Sequence, residues 1–188
     1  MTIACTGDSR AVLGTLEAAP EEDSGEKIVA SSLSHDQTPY RKDELDRVRK
    51  AGARVKTIDQ LNNDEPEQKC WDEKEINYDG DIPRIWKKND PFPGTAFTRS
   101  LGDSIAEELG VIASPELLTQ ELTSKDKILV LATDGIFEFL TNQKILDVCA
   151  DFPDPLDACK KILAESYEEW LEYETRVDDM TIVVIYLD

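Results

Sequence analysis

The stretch Lys125–Gln143, KDKILVLATDGIFEFLTNQ, decides how the rest of the chain is read. Five apolar residues, Ile128-Leu129-Val130-Leu131-Ala132, stop at Thr133-Asp134-Gly135, and a new apolar pattern starts at Ile136 with Phe137, Phe139 and Leu140. A continuous apolar run of this length fits a strand buried on both faces or the core of a helix. The β-forming residues of the run and the Asp-Gly stop favour the strand. Asp134 then stands at the carboxyl end of a buried strand, where the chain turns into a helix. An ionised carboxylate beside an apolar core is costly unless it is paired, so a metal ion or a set of backbone donors is expected to hold it. Gly135 lets the backbone turn and approach whatever Asp134 binds. The plainer alternative for Asp134 is a helix N-cap.

Outward from this stretch, Arg176–Leu187 (RVDDMTIVVIYL) is a strand pattern with Asp178 and Asp179 at its amino end. Antiparallel pairing with 127–133 brings Asp178 beside Asp134 at one sheet edge. At the front, Met1–Thr6 reads as a strand ending in Gly7-Asp8-Ser9-Arg10, and Val12 and Leu13 resume the apolar pattern. The GDSR segment therefore reads as a hairpin turn with Asp8 in it. Three strands would deliver three carboxylates to one rim. Asp8 as a turn-former bonding its own backbone, and Asp178 as a solvated acid at a strand end, are the alternatives. Carboxylate oxygens suit Mg²⁺ or Mn²⁺. Two such ions bridged by a carboxylate can activate a water and steady a phosphoryl group. Zinc is disfavoured, because His35 is the only histidine and the four cysteines are dispersed.

The chain has 188 residues, enough for one domain with a real core. Lys and Arg number 21 against 40 Asp and Glu, a formal charge of −19, which argues against nucleic acid or an anionic membrane as partner. No apolar window is long enough for a membrane span, and no basic-then-apolar signal opens the sequence. Cys5, Cys70, Cys149 and Cys159 read as free thiols of a reducing compartment, cytoplasmic or nuclear rather than secreted. Strands are expected at 2–6, 10–16, 27–33, around Val55, at Pro83–Trp86, Val111–Leu118 and Leu122–Ala132. Helices are expected at Lys42–Ala51 with Gly52 as cap, Thr98–Leu109 stopped by Gly110, Ile136–Ala150 and Pro155–Tyr173. Asn62–Asp81 reads as a solvated acidic loop. In the last helix Leu156, Cys159, Ile162, Leu163, Tyr167, Trp170 and Leu171 recur at helical spacing and read as a core-facing stripe. Arg10 and Arg99 are tempting phosphate binders, though structural ion pairs are the plainer reading. Asp103 reads either as a cap or as a residue near the site, and His35 as an ordinary loop residue.

Gly7–Arg10, Leu33–Pro39 (LSHDQTP), Glu44–Gly52, Thr98–Asp103 (TRSLGD), Ala132–Gly135 (ATDG) and Asp178–Thr181 (DDMT) occur in an order that resembles the metal-dependent PPM-type Ser/Thr protein phosphatases, the protein phosphatase 2C family. The wording FTRSLGD and ATDGIFEFLTNQ is similar to plant and protist branches. The resemblance covers nearly the whole chain. It implies an α+β fold, a four-layer αββα sandwich of two antiparallel sheets with flanking helices, with a two-metal site at one edge. Residues 1–188 would form one partial domain, roughly its carboxyl two-thirds. It also implies roles. Asp134 and Asp178 match metal-site aspartates of the family. Asp8 matches the turn aspartate of a third, weaker metal, and Glu138 falls where many relatives place an aspartate for that metal. The implied cofactors are Mg²⁺ or Mn²⁺, and the implied partners are phosphoprotein substrates. The family's Asp-Gly-His-Gly motif, which by the resemblance supplies a bridging Asp and a general-acid His, is not in this sequence. It is expected upstream of Met1 or on an associated domain, and no catalytic residue beyond the metal ligands is identified. The implied reaction is hydrolysis of phosphoserine and phosphothreonine by a metal-activated water. No Cys-x5-Arg nucleophile loop occurs. The alternative is a non-catalytic phosphatase-like module or one part of a split phosphatase.

Overall fold

A computed structural model describes residues 1–18, 25–72 and 80–187. In chain order the elements are β1 (Thr2–Cys5), β2 (Arg10–Ala18), β3 (Glu26–Ser32), α1 (Lys42–Lys50), β4 (Arg54–Lys56), α2 (Ile58–Asn62), β5 (Arg84–Trp86), β6 (Pro93–Thr95), α3 (Ser104–Glu107), β7 (Glu116–Thr119), β8 (Asp126–Ala132), α4 (Asp134–Phe137), α5 (Asn142–Asp151), α6 (Pro155–Tyr173) and β9 (Ile182–Tyr186). Two compact units divide them. One comprises Met1–Cys5, Ser9–His35 and Leu117–Asp188; the other comprises Thr6–Asp8 and Asp36–Glu116. The class is α+β with antiparallel sheets, as expected.

In the first unit the apolar run is β8, inside a four-stranded antiparallel sheet of order β3-β2-β8-β9. The register sets Leu13 opposite Leu129, Leu129 opposite Ile185, and Ala132 opposite Ile182. Strand alternation splits the side chains between the two faces. Val12, Ile128, Val130, Ala132 and Val184 pack with Ile136, Phe137, Ile145, Leu146 and Ile162 from the helices. Ala11, Leu13 and Leu129 form a second cluster on which Met1, Ile3 and Leu187 pack. Each fully buried Val, Leu or Ile contributes about 2 kcal/mol relative to exposure. This explains why β8 needs apolar residues at consecutive positions.

β1 pairs with β7, not with β2, so Gly7–Arg10 is not a hairpin between partner strands. The reason is Gln37. Its side-chain oxygen accepts from Gly7 N at 2.7 Å, and its own N–H donates to Gly7 O at 3.0 Å, which groups the turn with the second unit. The expected helix from Ile136 to Ala150 is two helices, because Thr141 caps α5 by accepting from Lys144 N at 3.1 Å. α6 runs over the expected residues, started by Asp154, whose carboxylate accepts from Leu156 N at 2.8 Å, with Pro155 in the first turn. Its buried stripe matches the expected one in part, with Ile162 buried and Cys159 and Leu163 packed on the core. Ala158, Ile162 and Ser166 face inward, whereas Leu156, Tyr167 and Leu171 are exposed. The Tyr186 hydroxyl donates to Cys149 O and Phe152 O, both at 2.8 Å, satisfying the end of α5. On the edge strand β3, the Gln143 carboxamide accepts from Ala30 N and donates to Ile28 O, both at 2.9 Å.

In the second unit β4, β5 and β6 form an antiparallel sheet, with Val55 opposite Ile85. Its core holds Leu45, Val48, Val55, Ile85, Ala106, Leu109 and Val111. Gly110, at φ +88°, lies against α1, where a Cβ would meet the Ala51 Cβ at 2.8 Å. The expected helix from Thr98 shrinks to the four residues of α3. Thr98 is held by Gln37 O, and Arg99 bridges to Ile112, so neither is available for a helical turn. α2 lies where a strand from Val55 gives way to the expected loop. Thr57 and Gln60 form its capping box, a T-x-x-Q signal present in the sequence. The remainder of the acidic loop at 73–79 lies outside the described residues. Among the described residues no helix is long and apolar enough to cross a membrane. All four cysteines are free thiols, and burial pushes Cys149 up to about 12.

Candidate metal centre

Asp134 directly follows β8, and Asp178 precedes β9 in the turn that leads into it. The two acid-bearing turns are bonded to each other. Thr133 N donates to Thr181 O at 3.0 Å, the Thr133 hydroxyl donates to Asp179 O at 3.3 Å, and Thr181 N donates back to that hydroxyl oxygen at 3.1 Å. Gly135 closes the approach, since a Cβ there would collide with the Asp179 carbonyl. Each carboxylate also bonds its own backbone. Asp134 Oδ1 accepts from Gly135 N at 3.0 Å, and Asp178 Oδ1 accepts from Asp179 N at 2.7 Å. Strand polarity thus brings the turns of Asp134 and Asp178 together, at the end of the β8–β9 ladder. Thr133 has no side-chain cap bond to the helix; its hydroxyl is spent on the other turn.

Glu138 follows α4, with its N–H donating to Asp134 O at 2.8 Å, one helical turn beyond Asp134. Asp8 lies in the Thr6–Asp8 segment of the second unit, next to the glycine that Gln37 holds. Arg10 places its guanidinium over the Phe137 ring, 5.0 Å from the centroid. Asp103 precedes α3 and accepts from the Ser100 hydroxyl at 2.5 Å.

Arg99 is an ion-pairing residue. With Arg41 and Arg47 it surrounds Glu44 and Glu116 in the second unit. Glu44, only 1% exposed, accepts from Arg47, from Arg99 at 2.8 Å and from the Thr98 hydroxyl. Glu116 accepts from Arg41 at 2.7 Å, from Arg99 at 3.3 Å and from Gln37 Nε2 at 3.2 Å. Burial alone would raise the Glu44 pKa, but the bonds from Arg47, Arg99 and Thr98 outweigh it and lower it to about 2. The Arg41 hydrogen bond leads in lowering Glu116 to about 2. Asp43, Glu44 and Glu116 bring carboxylate oxygens within 4.8 Å of one another, a spacing that could hold a metal ion. Here guanidinium groups already match their charge, so the cluster is an ion-pair network.

The sequence assigns Trp170 to a packing stripe and gives no role to Gln37 or Ser166. Gln37 is fully buried, and its amide oxygen, amide nitrogen and backbone all bond. The Ser166 hydroxyl and the Trp170 indole N–H both donate to Gly135 O, at 2.8 and 2.7 Å. A buried serine inside an amphipathic helix was the available signal, since buried polar groups need partners.

A family model described as Protein phosphatase 2C matches residues 1–170, which include Asp8, Asp134 and Glu138. The chain is 45% identical over 186 residues to an Arabidopsis thaliana protein described as "Probable protein phosphatase 2C 35", covering 98% of this chain and 51% of that protein. It is 35% identical over 184 residues to "Probable protein phosphatase 2C 64" of Oryza sativa subsp. japonica, covering 97% of this chain and 38% of the relative. Among solved structures, "Crystal structure of serine-threonine phosphatase 2C from Toxoplasma gondii" shares the fold with a TM-score of 0.69 at 14% identity, covering 98% of this chain and 54% of that one. The chain belongs to the protein phosphatase 2C family. It spans about half the length of the Arabidopsis relative and less of the rice one.

Proposed function

We propose that this chain carries the carboxyl-terminal portion of the catalytic domain of a metal-dependent protein phosphatase acting on phosphoserine and phosphothreonine. In this reading Asp134 and Asp178 are ligands of Mg²⁺ or Mn²⁺, and Glu138 serves a third, weaker site. The observation that supports it is the bonding of Thr133, next to Asp134, to Asp179 and Thr181, the segment that follows Asp178. The donor set fits the ion: carboxylate oxygens, without thiolate or imidazole, suit a hard divalent cation. When bound, such ions supply a water of lowered pKa and positive charge for the phosphoryl oxygens. The chain's own contribution is to hold the ligands. Gly135 and Asp179 N–H groups orient the two carboxylates, and the Thr133 hydroxyl spaces the turns. The partners are phosphoproteins, and the free thiols support a reducing compartment, cytoplasmic or nuclear.

A second reading is a phosphatase-like binding module or one part of a split domain. It is favoured by one observation, the lack of an Asp-Gly-His-Gly motif in the sequence. Phosphopeptide hydrolysis by the full-length natural protein separates the two. Turnover is expected only with Mg²⁺ or Mn²⁺. Asp134→Asn is expected to lower the rate more than about tenfold, since even outer-shell partners of metal ligands weigh that much. Hydrolysis that persists in excess chelator overturns the first reading. A folded protein that binds metal without turnover establishes the second.

A further inference from the structure

We infer that Ser166 and Trp170 are positioning residues for Asp134: together they clamp the Gly135 carbonyl and so set the direction in which the Asp134 carboxylate is presented. The inference rests on the metal-site reading of Asp134 and assigns work to two residues of α6, of which periodicity assigns Trp170 to packing and Ser166 to nothing.

The geometry is specific. Ser166 and Trp170 are four residues apart on one helix, hence on one face. Their donors converge on one acceptor, at 2.8 and 2.7 Å, filling both lone pairs of the Gly135 oxygen. Ser166 is fully buried, so its hydroxyl has no water to fall back on. The Trp170 ring is itself fixed, edge-on to Phe139 at 5.0 Å between centroids, and Tyr173 stacks on Phe139 at 5.5 Å. On its other sides Gly135 donates its N–H to Asp134 Oδ1 and presses its Cα against the Asp179 carbonyl. Gly135, the residue that follows Asp134, is therefore held at its carbonyl by α6, at its Cα by the second acid-bearing turn and at its nitrogen by the Asp134 carboxylate.

Both donors are neutral. A lysine or arginine in their place would satisfy the same carbonyl but would bring a positive charge beside Asp134, where it would compete with a metal ion for the carboxylate. A serine hydroxyl and an indole N–H fix the backbone without bringing a positive charge of their own.

The test uses the chain itself, with Trp170→Phe, Ser166→Ala and Asp134→Asn as separate variants and free Mn²⁺ as the probe. Binding is followed by the loss of the hexaaqua Mn²⁺ electron paramagnetic resonance signal, and the Gly135 carbonyl by its ¹³C resonance. Trp170→Phe keeps an aromatic six-membered ring but loses the N–H together with the pyrrole ring, whereas Ser166→Ala removes only the hydroxyl and is the cleaner deletion of a donor. Each is expected to weaken Mn²⁺ binding by about tenfold, the lower end for outer-shell partners of metal ligands. Each is also expected to move the Gly135 carbonyl resonance toward that of a carbonyl with fewer hydrogen bonds, with Mn²⁺ absent. A change in packing alone would move the melting temperature without either signature. Folded Trp170→Phe and Ser166→Ala chains that bind Mn²⁺ within twofold of wild type, while Asp134→Asn weakens it, overturn the clamp and leave the metal site standing. Wild-type affinity in Asp134→Asn, or no uptake by the wild-type chain at millimolar Mn²⁺, overturns both.

Discussion

Two regions of this chain collect carboxylates, and they treat them in opposite ways. In the second unit Glu44 and Glu116 meet Arg41, Arg47 and Arg99, and their pKa values fall to about 2. In the first unit the turns bearing Asp134 and Asp178 are tied by backbone groups, a threonine, a serine and an indole, all neutral. The difference teaches how to read an acidic cluster. The Glu44 group has the spacing of a metal site but already has its cations, and a metal ion would have to displace half-buried guanidinium groups. In the Asp134 group the bonds that tie the two segments together come from neutral groups.

The comparison breaks most sharply at Glu44. Glu44→Ala leaves Arg47 and Arg99 without their shared buried partner, and removing one member of a buried ion pair costs about 3–5 kcal/mol. Amide hydrogen exchange should show lost protection in α1, β4 and β5 with β2 and β8 retained. Equal loss in β2 and β8 would mean that the network is not a device local to the second unit.

Acid tests the same contrast more gently. Glu44 ordinarily titrates near 4.5 and is held at about 2, which corresponds to a stabilisation on the order of 3 kcal/mol. The carboxyl is lowered on folding, so the stabilisation is complete above about pH 4.5 and is lost as pH falls through about 2. Glu116 is more exposed and adds less, because solvent screens it. Urea denaturation at pH 6 and pH 3, followed by amide signals of each unit, should show the larger fall in the second unit. Asp126, at the start of β8, is lowered by Thr123 and Thr15 and gives the first unit a weaker version of the same dependence.

The smallest effect is expected at Gly135. A methyl group there collides with the Asp179 carbonyl, and overpacking of this kind costs about 1–3 kcal/mol. Gly135→Ala should lower the melting temperature modestly while prising the two acid-bearing turns apart, which Mn²⁺ titration would register as weaker binding. Unchanged affinity would mean that the spacing of the turns does not set the site.

Much of this was legible in the sequence. β8 declared itself by five apolar residues and a Thr-Asp-Gly stop, and α6 by Pro155 and its long periodic pattern. The adjoining of the Asp134 and Asp178 turns followed from strand polarity, because a strand that ends in an acid and an antiparallel neighbour that begins after one must bring them together. What stayed hidden has a common physical cause: long-range hydrogen bonds leave no period. Gln37 redirects Gly7–Asp8 into the second unit across 30 residues of chain, and nothing in GDSR announces it. The inward face of α6 is legible only in part: Cys159, Ile162 and Leu163 face the core as expected, but large apolar residues dominate a pattern count. The helix instead turns Ala158 and Ser166 inward and leaves Leu156, Tyr167 and Leu171 in solvent.

The carboxamide of Gln143 on β3 has a consequence of a different kind. β3 is the terminal strand of its sheet, and a terminal strand is a template on which a stray chain can crystallise its own backbone. Gln143 offers Ile28 O a donor and Ala30 N an acceptor, which is what one residue of an invading strand would offer. It is a counterfeit of a neighbouring strand, one side chain long, and it terminates the sheet without lengthening it. Glutamate at this position would bring an acceptor to an acceptor, and asparagine would fall a methylene short. The identity of this single exposed-edge residue thus bears on whether the molecule remains a solitary particle or seeds a fibre.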